Sequence, residues 1–549
     1  MIYKVLSYIL SLATTFLISK VGQNVIWANK KADGTPKPPW PVSPQQLPFF
    51  TKGWTDYNNE GYHAFTRWSK QLGHLFSVKL GLKRIIVLNN AEWVHKVLIE
   101  KEQWNSSRML SDSLEKTLTD NAKTIFTAPF SLYWSRLRRA TYLVIGKWNA
   151  FQFQHLFQQE ANRLSLGISS AMTMDSSNHS TTKNLTATEL RHMVDLIAMN
   201  TALTIVMGKN NTNAMDPPPQ HHDDPATMLT LLQKIKALEA RQTQHLNRVG
   251  QFFPFINALL DVKNLFTLDS TNVNLRNEIL EIFLPWFEPI YQQQEQEQEH
   301  PQQQKKQIDA IVKSLLHIEP SRNDPEPVQL KKDEALVNLV HMALHAYTYL
   351  SSSLFTLIQR LAASPDLQAK LREQGKAFAQ ALVHESLRYD PPQPLLAYAP
   401  RTDYDLDNVE DGHPTSAYRV DQDTEIIVNV HAIHRQSQYY TKPDTFSPER
   451  FLKQEKETAP LLQLPQEQKA AKSEHKKASD HLAFGAGRRA CIASQLSTDF
   501  LATIVLHLVH SFELKGGNVH DKIECKTNIW SWIGRTETKG ASIEFIKRE

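Results

Sequence analysis

Cysteine is almost absent from this sequence, with two residues in a chain of 549. Two cysteines cannot form a disulfide framework, so the composition excludes a disulfide-stabilised scaffold and suits a reducing compartment. The chain also lacks an excess of either charge, because 61 Lys and Arg residues face 57 Asp and Glu residues. The formal net charge is +4 and the two signs are interspersed. We therefore predict no nucleic-acid partner.

A long hydrophobic run is lacking as well. The apolar run near the N-terminus covers residues 5–19 and ends at Lys20, whereas a spanning helix needs about 20 apolar residues. A few further apolar residues extend it to a marginal span, namely Val21, Val25, Ile26 and Trp27. We predict a membrane anchor over residues 1–28. A cleaved signal peptide and a buried N-terminal helix are the alternatives.

A basic, proline-rich segment comes after the apolar run. Lys30 and Lys31 lie at its start, and positive charge at that position favours a cytosolic location for the rest of the chain. Residues 29–48 are rich in proline, which predicts a stiff hinge. The remaining residues, 49–549, then form one large domain.

Apolar residues recur at helical spacing through most of this domain. The longest such segment covers residues 335–361. Shorter segments predict a strand hairpin over residues 75–88, a helix after Asn90, and a second hairpin formed by residues 530–534 and 541–546. The patterns together predict a mainly α fold with small β-sheets.

Two segments have compositions that are typical of exposed loops. Residues 292–307 are Gln- and Glu-rich, and we predict a disordered loop or a frayed helical extension. Residues 453–477 form a charged insertion.

One of the two cysteines lies in a glycine-rich turn. Phe484, Gly487 and Arg489 precede Cys491 in the order Phe-x-x-Gly-x-Arg-x-Cys, and an apolar helical pattern comes next. Glycine lets the backbone pass close to a bulky group, and a helix N-terminus favours a thiolate. Cys491 is therefore a candidate metal ligand. A buried, inert cysteine is the alternative.

Further pairs of residues occur at helical spacing. Trp134 and Arg138 are one turn apart and could hold a carboxylate between an indole N–H and a guanidinium. Glu385 and Arg388 are three apart and could form an ion pair. A Pro-Glu-Arg-Phe segment that contains Arg450 lies later in the chain.

These motifs, taken in order, resemble the cytochrome P-450 superfamily of haem-thiolate monooxygenases, eukaryotic membrane-anchored type. The resemblance covers the chain from about residue 40 to its end. It implies the P-450 fold, with haem between the long central helix and the cysteine loop, and Cys491 as the axial ligand of haem iron. The region from Arg108 to Arg139 resembles the fungal phenylacetate-hydroxylase branch. The family usually has Gly two residues after the cysteine, where this chain has Ala493.

The resemblance also assigns roles to other residues. Arg489, Trp134, Arg138, Arg401 and His434 are candidates for holding the haem propionates, and Phe484 belongs to the haem-binding loop. A buried structural network of the family corresponds to Glu385, Arg388 and Arg450.

The central helix departs from the family pattern. Its oxygen-activating segment corresponds to residues 345–349, where Ala346 replaces Gly, Thr348 replaces the acid and Tyr349 replaces Thr. A shift of one residue would instead place Thr348 at the hydroxyl position. We expect Thr348 and Tyr349 to be the catalytic side chains of this segment. The acid is missing in either alignment.

The implied activity is insertion of one atom of O2 into a small apolar or aromatic substrate. The implied cofactor is haem b (iron protoporphyrin IX). The implied partners are an NADPH-cytochrome reductase and membrane lipid, with the protein anchored in the endoplasmic reticulum membrane. The missing acid leaves two alternatives open, a haem-thiolate isomerase or dehydratase that needs no reductase, and a degenerate haem-binding relative.

Overall fold

The computed structural model describes most of the chain after residue 59. The described ranges are 60–80, 83–108, 119–120, 123–173, 182–208, 232–236, 268–299, 310–318, 320–322, 324–325, 328–407, 417–452, 481–517, 523–528 and 531–548. The predicted anchor (1–28), hinge (29–48) and charged insertion (453–477) lie outside these ranges. The predicted loop at 292–307 lies partly inside them, and its first eight residues continue a helix that ends at Glu299.

The described part of the chain is mainly helical, as predicted. Its α-helices are α1 (Tyr62–Leu72), α2 (Ala91–His95), α3 (Leu132–Ile145), α4 (Gln154–Thr173), α5 (Ala187–Met207), α6 (Leu268–Glu299), α7 (Ile311–Leu316), α8 (Lys332–Ala362), α9 (Pro365–Tyr389), α10 (Val430–Ile433) and α11 (Ser494–Ser511). A π-helical turn, Lys96–Glu100, comes after α2, and the Asn90 side chain caps α2 as predicted.

Helix α8 is the predicted long central helix. Asp333 and Glu334 lie in its first turn, where negative charge stabilises the helix dipole. Its apolar side chains pack against α5, α9 and α11. Because nearly every position from Ala335 to Gln359 is buried, α8 forms the centre of the main hydrophobic core.

Helix α5 lies along α8 and begins at a capping box, in which Thr186 and Glu189 satisfy each other's backbone N–H groups. Within the described ranges, α5 is the helix that is long and apolar enough to cross a membrane, and 72% of its most apolar window is buried inside the protein. Its apolar character is therefore explained by packing against α8.

Small sheets flank the helices. Strands β1 (Leu75–Leu80) and β2 (Lys83–Leu88) form the predicted hairpin. With β4 (Leu395–Tyr398) and β7 (Glu425–Asn429) they make a four-stranded sheet of order β1-β2-β7-β4. Strands β5 (Tyr404–Asp407) and β6 (Ala417–Val420) form a separate pair.

The C-terminal strands pair differently from the sequence prediction. Strand β10 (Ser531–Thr538) pairs with β9 (Ile523–Asn528). Strand β11 (Ile543–Lys547) instead lies between β3 (Thr182–Leu185) and β8 (Phe512–Gly516). The predicted hairpin of 530–534 with 541–546 is therefore wrong. Alternating apolar residues identify strands, but they do not identify the partner of each strand.

A buried ion-pair network holds α9 against the segment that precedes the cysteine loop. Arg388 donates two hydrogen bonds to Glu385, at 2.7 and 2.8 Å, and both side chains are fully buried. Arg450 Nε lies 3.1 Å from the same carboxylate. Arg388 also donates to the carbonyls of His434 and Pro443. Both guanidiniums face the Glu385 carboxylate, and Arg450 also donates to the carbonyls of Thr441 and Thr445, so the burial is tolerated.

Candidate functional site: a thiol loop opposite a half-exposed helix face

The loop that carries Cys491 is held by its backbone. Gly485 and Gly487 have φ of 75° and 65°, a region that favours glycine. A Cβ on Gly487 would lie 2.3 Å from the Leu98 carbonyl oxygen, so a larger residue does not fit. The Cys491 N–H donates to the Phe484 carbonyl at 2.8 Å. These constraints present the thiol just before the first turn of α11.

The Cys491 side chain is accessible although protein surrounds it closely. Burial is the largest effect on the thiol and raises its pKa, while the Ala493 amide and the Arg138 charge lower it. Both observations agree if protein surrounds the thiol on most sides and leaves a gap in front of it. The helix position by itself therefore does not produce the predicted thiolate, and a bound cation would be required.

A face of α8 is accessible in the middle of an otherwise buried helix. Between Ala335 and Gln359, the side chains that are not buried are His345, Ala346, Thr348 and Tyr349. This spacing places them on one face of the helix. We call these four residues the distal stripe. They are the segment that the sequence identified as atypical.

Arg108 connects the distal stripe with the cysteine loop. Burial and, to a smaller extent, the Arg108 charge lower the pKa of His345 to about 4, while the hydrogen bond to the His341 carbonyl opposes them. Burial likewise lowers the pKa of Arg489 to about 8, with Arg108 as the next largest cause. One guanidinium thus lies within electrostatic reach of both walls. From the half-exposed stripe and the accessible thiol we infer a space between the distal stripe and Cys491, which we call the central hollow.

Two of the predicted arginines stack on one indole at the edge of the hollow. The Cζ atoms of Arg489 and Arg138 lie 4.4 and 5.4 Å from the centre of the Trp134 ring. Arg489 donates to the carbonyls of Ser106, Ile125 and Ala128, and Arg138 donates to that of Ala490 at 2.6 Å. The Trp134 indole N–H also donates to Ile125, at 3.0 Å.

Among the described residues, the hydrogen-bond partners of Arg138 and Arg489 are not acidic. The described contacts of Arg138 and Arg489 are carbonyl oxygens and aromatic rings, and no described carboxylate forms an ion pair with either. Arg108 stands over the Tyr398 ring at 4.7 Å. Guanidinium groups that lie close together repel one another, and this repulsion destabilises their charged forms unless negative charges neutralise them. Sequence reasoning did not select Arg108 as a site residue, because its position depends on the path of a loop with no regular spacing.

His345 has a defined tautomer in the distal stripe. Its Nδ1 lies 2.9 Å from the His341 carbonyl oxygen, which can only accept, so Nδ1 carries the proton. The ring stacks on Phe126 with a centroid distance of 4.0 Å and an interplanar angle of 7°. In the sequence, His345 belongs to the atypical segment 345–349, but no role could be assigned to it. Because its ring is stacked and hydrogen-bonded, His345 forms a rigid part of the wall of the hollow.

His434 and Arg401 occupy different positions from the other candidates. His434 Nδ1 donates to the Arg388 carbonyl at 2.9 Å, and Nε2 accepts from the Leu482 amide at 2.8 Å. With both nitrogens bonded to protein, the geometry argues against a propionate role and makes His434 a link between the Glu385 network and the cysteine loop. Arg401 is exposed, and its Cζ lies 5.6 Å from the Phe130 ring centre.

Comparison with known proteins agrees with this arrangement. The family model described as "Cytochrome P450" matches residues 41–536. The chain belongs to the cytochrome P450 family. Among curated relatives, isoflavone 2'-hydroxylase of Glycyrrhiza echinata is 24% identical over 494 residues, covering 84% of this chain and 83% of that protein.

Two further similarities differ in how much of the chain they cover. Ferruginol synthase of Salvia pomifera is 29% identical over 201 residues, which covers 32% of this chain and 39% of that protein's length. A solved zebra fish cytochrome P450 with progesterone has a TM-score of 0.61 at 18% identity, covering 89% of this chain and 99% of that one. At that identity the likeness concerns the fold, and it confirms the predicted P450 fold.

The residues around the hollow fit the haem that the family implies. A haem has an iron, which accepts a thiolate ligand. It also has two propionate carboxylates, which can neutralise guanidinium groups. The accessible Cys491 thiol and the two arginines that lack a described carboxylate partner match these two needs. Within the described ranges no group of three or more His, Cys, Asp or Glu side chains could hold a metal ion. A single cysteine suffices when a porphyrin supplies the other ligands.

Proposed function

We propose that this protein is a haem b monooxygenase that oxidises a small apolar or aromatic substrate. Electrons would come from NADPH through a membrane-bound reductase, and residues 1–28 would anchor the protein in the endoplasmic reticulum membrane. The observation that supports this most is the pairing of an accessible Cys491 thiol with a half-exposed stripe on a buried helix. Bound haem would supply activation of oxygen.

The protein's own residues have separate tasks in this proposal. Cys491 would hold the haem iron through its thiolate. Arg489, Arg138 and Arg108 provide positive charge for the propionates, and Trp134 keeps two of these guanidiniums in place by stacking. On the opposite side the distal stripe, with Thr348 and Tyr349, borders the place where substrate would lie.

The composition of the distal wall supports an apolar or aromatic substrate. Phe126 and His345 form a flat, stacked surface, and Ala346 beside them leaves room. The His345 ring is neutral at pH 7, because burial lowers its pKa to about 4. A flat, uncharged wall favours contact with planar or apolar groups.

A reductase assay tests the proposed reaction. Purified protein is given a microsomal NADPH-cytochrome reductase, NADPH and candidate aromatic substrates. We expect substrate-dependent NADPH oxidation and a product with one additional oxygen atom, which ¹⁸O2 labels. Absence of NADPH-dependent product with every substrate, together with conversion of an organic peroxide, would contradict the proposal.

The isomerase or dehydratase alternative rests on one observation. The distal stripe contains Thr348 where the family has its acid, and no carboxylate belongs to the stripe. An enzyme that rearranges a peroxide does not need to deliver protons to oxygen. The same assay separates the two functions, because an isomerase converts its peroxide at equal rates with and without NADPH.

A further inference from the structure

Two consecutive backbone N–H groups at the start of the cysteine loop donate to histidine rings. The Leu482 N–H donates to His434 Nε2 at 2.8 Å, and the Ala483 N–H donates to His481 Nδ1 at 3.3 Å. Both rings are buried. The start of the loop is therefore held by two ring nitrogens, each of which accepts through its lone pair.

A third histidine, on α9, contacts one of these rings. His384 Nδ1 lies 3.0 Å from His481 Nε2. Because His481 Nδ1 accepts from an amide, the proton of the neutral ring is on Nε2, so His481 donates and His384 Nδ1 accepts. The ring centres of His481 and His434 lie 5.9 Å apart. We call His384, His434 and His481 the histidine cluster.

The hydrogen bonds of the histidine cluster require neutral rings. An added proton on His481 would occupy Nδ1, where it meets the Ala483 N–H. An added proton on His434 would occupy Nε2, where it meets the Leu482 N–H. An added proton on His384 would meet the Nε2–H of His481. In each case a hydrogen bond is replaced by two donors that face each other.

Positive groups surround His481, the middle member of the cluster. Burial, the largest effect, and the charges of His384, His434 and Arg388 lower the pKa of His481 well below its usual value, while a backbone hydrogen bond opposes them. Two further neighbours of the ring are uncharged phenylalanines. The folded protein therefore disfavours a proton on His481.

The charges around His434 act in the same direction. Burial is the largest effect that lowers its pKa, and the charges of Arg388 and Arg435 add to it. Tyr440 stands edge-on to the ring, with the ring centres 6.2 Å apart. The Glu385 carboxylate is close to Arg388, but it already accepts two hydrogen bonds from that guanidinium. A proton on the cluster thus gains little compensation from its surroundings.

We propose that the histidine cluster positions the cysteine loop and makes haem ligation sensitive to acid. This role rests on the proposed haem-dependent function. Neutral rings hold the amides of Leu482 and Ala483 and so fix the start of the loop that carries Cys491. Below about pH 6.5, the usual pKa of histidine, protons favour the opened loop, in which the rings can be charged. The three histidines are positioning residues and do not contact substrate.

Two substitutions separate the role of His481 as an acceptor from its role as a packed ring. His481→Asn keeps a side-chain oxygen that can accept from the N–H two residues later, but it cannot take a proton. His481→Phe keeps a ring and loses the acceptor. The measurement is the rate at which the haem-loaded protein loses the shifted Soret band of its reduced carbon monoxide complex. Near neutral pH we expect His481→Asn to lose this band more slowly than His481→Phe.

The pH dependence of the same rate tests the coupling to protons. It is measured at about pH 7.5 and about pH 5.5, one unit on each side of the usual histidine pKa. Each histidine that gains a proton when the loop opens should speed the loss by about tenfold between these values. His481→Asn should lack one such factor. The matched control is His155→Asn, which replaces an exposed histidine of α4 and should keep the full acid response.

Other results would overturn the proposal. An acid response of His481→Asn equal to that of the unaltered protein would exclude the coupling. Slower loss of the band in His481→Phe than in His481→Asn would assign His481 to packing alone. Failure of the proposed function is distinguishable, because the band is recorded without reductase or substrate. Absence of NADPH-dependent turnover would contradict that function and leave the comparison of rates intact.

Discussion

The two walls of the central hollow are built by different means. On the cysteine side, two glycines with positive φ, a backbone hydrogen bond from Cys491 and a fully paired ionic network fix the loop. On the distal side, side chains of one long helix are simply left uncovered where their neighbours are packed. The first wall is fixed by backbone geometry and tolerates few residue types. The second can change its side chains without a change in fold.

This contrast explains where the sequence departs from its family. The cysteine side keeps the spacing of the motif, because each residue meets a steric or ionic requirement. The distal stripe has Thr348 and Tyr349 in place of the usual acid and threonine, and α8 still packs normally around them. Chemistry on this side therefore depends on which side chains the helix leaves uncovered.

The strongest effect on the cysteine side is expected from breaking the ionic network. Glu385→Gln leaves Arg388 and Arg450 buried without their carboxylate, so the free energy of unfolding should fall by about 3–5 kcal/mol. Denaturant unfolding of the haem-loaded protein measures this. The matched control is Glu449→Gln, whose partner Lys370 lies at the surface, with an expected loss of about 1 kcal/mol or less. Equal losses in the two variants would contradict the assigned role.

Substitutions at two glycines distinguish the cost of backbone strain from the cost of a steric collision. One glycine lies in the cysteine loop and the other lies elsewhere. Gly487→Ala combines a positive φ with contact against the Leu98 carbonyl, whereas Gly73→Ala has a positive φ of 90° and open space. Strain alone costs about 1–3 kcal/mol, so Gly487→Ala should lose more stability than Gly73→Ala and should also lose haem. Denaturant unfolding and haem content are the measurements. Normal haem content in Gly487→Ala would show that the loop can move.

Arg489 and its neighbour provide a test of the propionate role. Arg489→Leu removes a buried guanidinium beside Trp134, and transfer of haem to apomyoglobin should become about tenfold faster, as expected for loss of a charge-assisted contact worth about 1.5 kcal/mol. Arg488→Leu removes an exposed arginine paired with Glu102 and should leave the transfer rate unchanged. Similar rates in both variants would remove Arg489 from the haem site.

A smaller effect concerns buried histidines and pH. Burial lowers the pKa of His434 to about 3, so between about pH 6.5 and 3 the unfolded chain binds a proton there that the folded protein does not. Stability contributed by neutral His434 is thus complete above pH 6.5 and is lost as the pH falls towards 3. His434→Gln should reduce the slope of unfolding free energy against pH by about 1.4 kcal/mol per unit. An unchanged slope would contradict this.

Much of the fold could be predicted from local patterns in the sequence. The length of α8, the β1–β2 hairpin and the Asn90 cap depend on periodicity and capping, which act over a few residues. The pairing of β11 with β3 was not predictable in this way, since it joins segments more than three hundred residues apart. The same limit applies to the site. Spacing selected Cys491, Trp134, Arg138 and Arg489 as candidates, but the position of Arg108 depends on long-range packing, and His434 has partners that spacing does not reveal.

The assignment of Cys491 as the ligand of the haem iron is tested most directly by the reduced carbon monoxide spectrum. Cys491→Ser and Tyr349→Phe are compared with the unaltered protein, one substitution on each side of the hollow. We expect the shifted Soret band of a thiolate-ligated haem in the unaltered protein and in Tyr349→Phe, and its loss in Cys491→Ser. Retention of that band in Cys491→Ser would contradict the assignment.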